Sequence, residues 1–420
     1  MRSISNRSQN ISQESSEQDH GITLLIDTFI TGRNSGIVRR NSARKIRIVS
    51  LASRNLFADK VRLAVTLTGI VFAIILIVVQ MGLFIGFAVT TSGVISQSLA
   101  DIWVVSRGVS FLEAGVPIPE RKLYRILSVP GVAQAEKLIV RLGNWKRSDG
   151  AERGIVIVGF NTTSNFGGPW NVVEGNARDT QQRDAVLIDE LYKEKLGVRA
   201  AGDQAEINGV RARVAGFTKG IRSFTTSPYV FTSFANAQRY AQVSPYHTTY
   251  ILVKAAPGTD VDRVKRAIAE RVSGVDVYTR DGFSRRTQVY WMLTTGAGFA
   301  ILIAATLGLI VGVVVVSQTI YATTMDHIKE FGTLKAIGAS NGYICGVLLK
   351  QAVMSAVIGY TIGIAASYAV VWLSRDSGAA ILLPWQVAAA MLLPTILMCV
   401  SAALISIRKV TQVDPGIVFK

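Results

Sequence analysis

The chain has very few of the side chains that usually bind metals or form covalent cross-links. Its 420 residues include two cysteines and three histidines. Both cysteines, Cys345 and Cys399, fall in long apolar runs. The large polar segment from residue 90 to 286 has no cysteine at all, so it must fold on its own apolar core without disulfides.

Sequence motifs of enzyme active sites are also scarce. There is no GxxxxGK[ST] phosphate loop, no HExxH and no CxxC. One GxSxG match, residues 338–342, joins a charged helix to an apolar run, where Ser340 is better placed as a helix N-cap than as a nucleophile. The sequence therefore predicts no catalytic residue, no metal site and no cofactor held by this chain.

Charge is scarce as well, and it is unevenly distributed. Charged residues make up 17% of the chain, against about 25% in an average soluble domain. Each of four runs without Asp, Glu, Lys or Arg is long enough to span a bilayer, which takes about 20 apolar residues. These runs cover residues 63–100, 287–325, 351–374 and 377–407. They predict transmembrane helices at 63–89, 287–322, 341–373 and 383–407. Only Lys350 lies within a span, near its end, which argues against an ion-coupled transporter.

The net charge of +17 does not indicate nucleic-acid binding, because no region concentrates it into one basic patch. Lysines and arginines near the spans set the orientation instead. They lie before the first span, between the second and third, and after the fourth, as at Arg54, Lys329 and Arg408. We therefore expect both termini to be cytoplasmic, with residues 90–286 and the loop 374–382 outside.

The segments before the first span and after the last are predicted to lie on the cytoplasmic side. Residues 1–45 begin with a stretch rich in Ser, Gln and Asn and are expected to form a disordered cytoplasmic extension. Residues 46–62 alternate basic and apolar groups, which is typical of an amphipathic helix at the membrane interface. Residues 408–420 are a short cytoplasmic tail.

Residues 90–286 alternate between strand and helix patterns. "DIWVVS" and "GIVIVGF" are typical of strands, "ERKLYRILSVPGV" has helical spacing, and Asn208-Gly209 predicts a hairpin turn. The predicted fold is thus an α-helical membrane protein with four transmembrane helices and a two-lobed α+β extracytoplasmic domain between helices 1 and 2. The smaller, strand-rich lobe is expected around residues 185–220.

Glycines recur at four-residue intervals in three of the spans, a spacing that lets helix backbones approach closely. We interpret these pairs as helix packing sites within the chain: Gly82 and Gly86, Gly308 and Gly312, Gly359 and Gly363. In the last span, Pro384 is predicted at the helix start and Pro394 at a kink.

Residues 326–340, "DHIKEFGTLKAIGAS", separate spans two and three. Apolar residues recur every three positions, while charged residues lie beside them. Such a helix can lie on the membrane surface or bind a partner. The apolar positions are Met325, Ile328, Phe331, Leu334 and Ile337.

These residues also carry a family resemblance. "HIKEFGTLKAIGAS", the single large outer domain and the closing "RKVTQVDPGIVF" resemble permeases of the MacB/FtsX class of ABC transporters, closest to the DevC branch known from heterocyst glycolipid export. The resemblance implies a cytoplasmic coupling helix at 323–340 that docks on a separate ABC ATPase, which binds ATP and Mg. The implied coupling residues are Asp326, Ile328, Lys329, Glu330, Phe331, Gly332, Leu334, Lys335 and Gly338.

The resemblance further implies a homodimer in the bacterial plasma (inner) membrane, a periplasmic membrane-fusion adaptor and an outer-membrane duct. ATP hydrolysis would move the outer domain through long stalk-like spans, exporting a lipid-like or amphiphilic substrate. Some relatives use the same mechanotransmission to regulate cell-wall hydrolases without transporting anything, and this alternative stays open.

Overall fold

The computed structural model describes Phe57 and residues 60–224, 227–326, 328–376 and 380–411. The predicted extension 1–45 lies outside these residues, as does most of 46–62; Lys60 already belongs to the first helix. The chain divides into two compact units. Unit 1 holds the described residues up to Phe72, together with Gly312–Thr361 and those from Leu392 onward; unit 2 holds Ala73–Val311 and Ile362–Met391.

Within the part of the chain that the structure describes, four helical segments are long and apolar enough to cross a membrane, as predicted. At about 1.5 Å per residue, even the shortest spans roughly 30 Å. They are Leu63–Thr91, Ala297–Thr319, Asn341–Leu373 and Trp385–Leu404. The helices that contain them are α1 (Lys60–Thr91), α8 (Ala297–Asp326), α10 (Asn341–Leu373) and the pair α11 (Trp385–Ala390) and α12 (Leu392–Thr411).

The second span does not begin at residue 287 as the uncharged run predicted. Helix α7 (Arg280–Val289) continues into a π-helical turn, Tyr290–Thr294, and a bend follows before α8. Gly296 in the bend has a φ of +76°, a left-handed conformation that cannot continue a right-handed helix and that glycine adopts without steric cost. The uncharged run is therefore two helical segments, not one straight stalk.

The last span is broken where the prolines predicted. Pro384 is the N-cap of α11, and Met391 separates α11 from α12. Pro394 follows three residues later; its ring removes one backbone donor and clashes with the carbonyl four residues back, at Ala390. The interruption at Met391 thus lies within one turn of Pro394, where the sequence predicted a kink.

Residues between α1 and α7 form an α+β domain built on a ten-stranded sheet, which confirms the predicted fold class. The strand order is β12-β1-β11-β3-β4-β9-β6-β8-β5, with β7 beside β3 and β8, and a separate pair β10-β2. The strands are β1 Ile102–Ser106, β2 Ile118–Pro119, β3 Val132–Lys146, β4 Glu152–Phe160, β5 Val172–Glu174, β6 Ala185–Asp189, β7 Gln204–Ile207, β8 Val210–Thr218, β9 Tyr229–Ser233, β10 His247–Thr248, β11 Tyr250–Ala255 and β12 Val275–Thr279.

Short helices cover this sheet. They are α2 (Gly93–Ser96), α3 (Arg121–Leu127), α4 (Lys193–Leu196), α5 (Phe234–Tyr240) and α6 (Val261–Arg271). Single 3₁₀ turns occur at Leu112–Ala114, Ala177–Gln181, Glu190–Tyr192 and Ser374–Asp376.

The 15-residue strand β3 links the two lobes that the sequence predicted. Its first half pairs with β11, and its second half pairs with β4 and β7. One apolar cluster includes Ile126, Val264 and Ile268 from α3 and α6, and another includes Trp145 and Ile207 in the strand-rich lobe. The lobes share one continuous sheet and a third apolar cluster, in which Leu187 lies together with Trp103 and Leu252.

The predicted hairpin turn is present between β7 and β8. Asn208 and Gly209 both have positive φ, 49° and 79°, as expected for a type I′ turn. The Asn208 side chain also accepts a hydrogen bond from the backbone N–H of Asn144 and donates one to the carbonyl of Tyr240. The turn residue therefore joins the hairpin to its neighbours.

Candidate functional site

The short helix between the second and third spans is α9, Ile328–Ala336. It ends in a Schellman motif, since the N–H of Gly338 donates to the carbonyl of Lys335 and the N–H of Ala339 to that of Leu334, both at 2.9 Å. Gly338 has a φ of +96°, which this motif requires. Gly338, predicted as a coupling residue, thus has a structural role in ending the helix.

Ser340 caps the following helix, α10, as predicted. Its Oγ accepts a hydrogen bond from the N–H of Tyr343 at 3.3 Å, the arrangement that satisfies an otherwise unpaired donor in the first helical turn. The two helices are therefore joined by a short link, with a defined cap on each side. Such a link fixes the orientation of α9 relative to the start of α10.

The charged side chains of this element are mostly exposed. Asp326, Lys329 and Glu330 are exposed, while Lys335 is half-buried. Among the described residues, no group of three or more His, Cys, Asp or Glu side chains is placed to hold a metal ion. The chemistry this element offers is surface charge of both signs.

The apolar stripe is not a free surface along its whole length. Ile328 and Leu334 are half-buried, and Leu334 packs against Ile344 and Leu348 of α10. Ile337 is 79% exposed. The side chain of Phe331 lies outside the described part of the structure. Leu334 is therefore not available in full as an anchor for a partner, because α10 already covers part of it.

The burial of Gly332 also differs from what was expected of a docking residue. The family resemblance implied that Gly332 is a coupling residue on the ATPase-docking surface, but Gly332 is buried within the chain itself. A bulky residue at this position would disturb the chain before any partner bound.

The glycine pair of the third span lies at close contacts with the first span. In unit 1, Gly359 of α10 lies against Ile70 of α1, and in unit 2, Gly363 lies against Ile74. A Cβ atom added at Gly363 would come within 2.9 Å of the Ile74 side chain. Side chains larger than hydrogen would push α10 away from α1.

The other two pairs differ from this arrangement. The backbone N–H of Leu382 donates to the carbonyl of Gly82 at 3.0 Å, and Gly86 lies against Ala380. Gly82 and Gly86 therefore meet the extended segment before α11 and not another helix. Gly308 makes only an ordinary contact with Leu76, and Gly312 is buried.

Comparison with known proteins identifies the architecture. Residues 63–271 match the MacB-like periplasmic core domain, and residues 302–415 match the FtsX-like permease C-terminal domain. The chain belongs to the MacB/FtsX class of ABC transporter permeases. The second match contains α9, α10, α11 and α12, so the candidate element lies within the permease domain of this class.

Individual relatives agree with this class. An uncharacterized ABC transporter permease of Mycobacterium tuberculosis is 26% identical over 74% of this chain and 83% of its own length. The pyoverdine export ATP-binding/permease protein PvdT of Pseudomonas aeruginosa is 25% identical over 89% of this chain and 58% of its length. The crystal structure of the periplasmic region of MacB from Actinobacillus actinomycetemcomitans covers 45% of this chain and 92% of that one, at 10% identity and a TM-score of 0.35.

Proposed function

We propose that this MacB/FtsX-class permease works with a separate ATPase subunit, which docks on α9 and drives movement of the α+β domain. The observation that carries the proposal is the exposed charge of Lys329 and Glu330 on α9, with Asp326 just before it, next to a link that is capped on both sides. A rigid link lets a force applied to α9 reach α10 without being absorbed by a flexible loop. The expected ligands ATP and Mg belong to the ATPase.

The remaining partners and the location are proposed from the resemblance to the MacB/FtsX class. The permease forms a homodimer in the bacterial inner membrane with both termini cytoplasmic, and its α+β domain contacts a periplasmic adaptor that leads to an outer-membrane duct. Basic residues near the span ends support this orientation. The substrate is lipid-like or amphiphilic, as in the DevC branch; export is also the activity in the name of the relative PvdT.

Docking is tested with variants of α9 in the full chain. Phe331→Asp, and the double change Lys329→Glu with Glu330→Lys, should each weaken binding of the ATPase encoded beside this chain by about 2–4 kcal/mol, as for central residues of an interface. The measurements are co-purification and stimulation of ATP hydrolysis in lipid nanodiscs. Lys146→Glu, an exposed change in the α+β domain, is the matched control and should bind normally.

Three outcomes of this experiment contradict the proposal or its details. Normal binding by both α9 variants would show that the helix is only a membrane-surface element. Saturable ATP hydrolysis by this chain alone would remove the need for a separate ATPase. Co-purification of a peptidoglycan hydrolase, without an adaptor or bound amphiphile, would replace export by regulation of cell-wall hydrolases.

A further inference from the structure

The π-helical turn before α8 begins with two aromatic residues that pack against aromatic side chains of unit 2. Tyr290, the first residue of the π-helical turn, stacks on Phe111 with ring centroids 4.2 Å apart. The next residue, Trp291, makes edge contacts with Phe111 at 5.3 Å and with Phe224 at 4.3 Å. The first two of the five residues in this turn are therefore held by loops of the α+β domain.

A buried carboxylate adds a directional contact. Glu113 is only 6% exposed. Its Oε2 accepts a hydrogen bond from the Trp291 indole N–H, and its Oε1 accepts one from the Tyr229 hydroxyl, each at 3.4 Å. Burial raises the pKa of Glu113. Burying a carboxyl group costs free energy, and an apolar side chain would fill the same space without that cost. The acid at position 113 is therefore not explained by packing alone.

The loop that presents Phe224 is itself fixed to the domain. The N–H of Ile221 donates to the Asp189 carboxylate at 2.7 Å, and the N–H of Ser223 donates to the Tyr192 hydroxyl at 3.1 Å. Phe224 thus has a rigid base. Movement of Trp291 would be resisted by this loop on one side and by Glu113 on the other.

The segment that follows Trp291 is built to bend. Gly296 has a positive φ, and Gly298 lies so close to Met292 that a Cβ atom there would be 2.7 Å from the Met292 carbonyl oxygen. A π-helical turn is a local departure from the regular hydrogen-bond ladder and often marks a functional position. Rigid contacts at residues 290 and 291 are therefore followed directly by a change of helix direction.

We propose that residues 290–298 form a hinge, and that Glu113 and Trp291 are the positioning pair through which movement of α8 reaches the α+β domain. This inference rests on the proposed ATP-driven movement. Glu113 accepts a hydrogen bond that holds Trp291 in a fixed position against the α+β domain. Gly296 and Gly298 allow the angle between the π-helical turn and α8 to change. Without the pair, α8 would move and the domain would follow less closely.

The pair is tested first without any ATPase. Hydrogen–deuterium exchange of the purified full chain should be about three- to tenfold faster at residues 290–294 in Trp291→Phe and in Glu113→Leu, since one hydrogen bond is lost. Glu113→Gln keeps an acceptor and should exchange like the parent. Trp385→Phe, at an exposed tryptophan, is the control. Unchanged exchange in both Trp291→Phe and Glu113→Leu would overturn the proposal that Glu113 and Trp291 form a positioning pair.

Transmission is tested with the ATPase bound in nanodiscs. Nitroxide labels at Ser148 and Val61, introduced as cysteines in a chain lacking Cys345 and Cys399, report the distance change between the nucleotide-free and ATP-bound complexes. We expect the change in the parent, in Glu113→Gln and in Trp385→Phe, and its loss in Trp291→Phe with ATPase binding intact. An equal change in Trp291→Phe would overturn the hinge pair. No change in the parent would overturn the proposed function instead, and loss in Glu113→Gln as well would exclude hydrogen bonding as the cause.

Discussion

Leu334 of α9 packs against Ile344 in the first turn of α10. This contact turns part of the predicted docking stripe inward. It also means that α9 is supported by α10 through an apolar contact as well as through the caps at Gly338 and Ser340. Among the side chains of α9 that the structure describes, the surface left for a partner consists mainly of the charged residues and Ile337.

Replacing Leu334 by alanine should therefore loosen α9 itself. Full burial of a leucine gives losses of about 2–5 kcal/mol on truncation, so we expect about 1–2 kcal/mol for this half-buried side chain. Hydrogen–deuterium exchange across residues 328–340 measures the effect. Ile337→Ala, at a side chain that is 79% exposed, should change exchange little. Equal exchange in the two variants would mean that Leu334 does not support the helix.

The orientation is testable by labelling single cysteines. Ser148 and Ile337 are both exposed, and neither caps a helix that spans the membrane. In a chain without Cys345 and Cys399, an impermeant thiol reagent added to spheroplasts should label a cysteine at 148 and not one at 337. The reverse pattern would place α9 outside and exclude its contact with a cytoplasmic ATPase.

An ion-pair cluster in the strand-rich lobe should make the folding stability depend on pH in the acid range. The Asp184 carboxylate lies 2.9 Å from Arg239 Nη1 and 3.4 Å from Arg211 Nη2. Burial alone would raise the pKa of Asp184, but the two guanidinium groups outweigh it and hold the pKa below its usual value. Asp184→Asn should lower stability at pH 7 by about 1–3 kcal/mol, the usual range for a hydrogen bond to a charged group.

The sign of this pH dependence follows from the lowered pKa. Because the folded state binds the proton less tightly, the stabilisation is complete above the unfolded pKa of about 3.9 and is lost as pH falls through the folded value. Thermal unfolding between pH 7 and pH 3 measures it. Asp184→Asn should show a flatter profile than the parent, whereas Asp281→Asn, at a side chain 89% exposed, should follow the parent.

Glu113 should give the opposite dependence. Burial raises its pKa above the ordinary value of 4.5, so the folded state binds the proton more tightly than the unfolded state. The unfavourable contribution is absent below pH 4.5 and develops as pH rises through the raised pKa. Glu113→Gln cannot ionise, so its stability should fall less than that of the parent over this range. Parallel profiles for the two proteins would show that Glu113 is not desolvated.

Local sequence signals determined much of this protein. The four uncharged runs set the four spans because a charged side chain in the bilayer is costly. Asn208-Gly209, Ser340 and Pro394 set a turn, a cap and the position of a helix interruption, since each acts through its own backbone or its nearest neighbours. The strands of the α+β domain followed from runs of buried, β-branched residues.

Only the tertiary structure decided what covers each apolar surface. The spacing of residues 325–337 showed an apolar stripe, but not that α10 would cover Leu334 or that Gly332 would be buried. The GxxxG pattern likewise could not show that Gly82 and Gly86 meet an extended segment. These outcomes depend on residues far apart in the chain, as does the contact between Glu113 and Trp291, which are 178 positions apart. Sequence periodicity records which face of an element is apolar, whereas the partner of that face is fixed only when distant segments pack together.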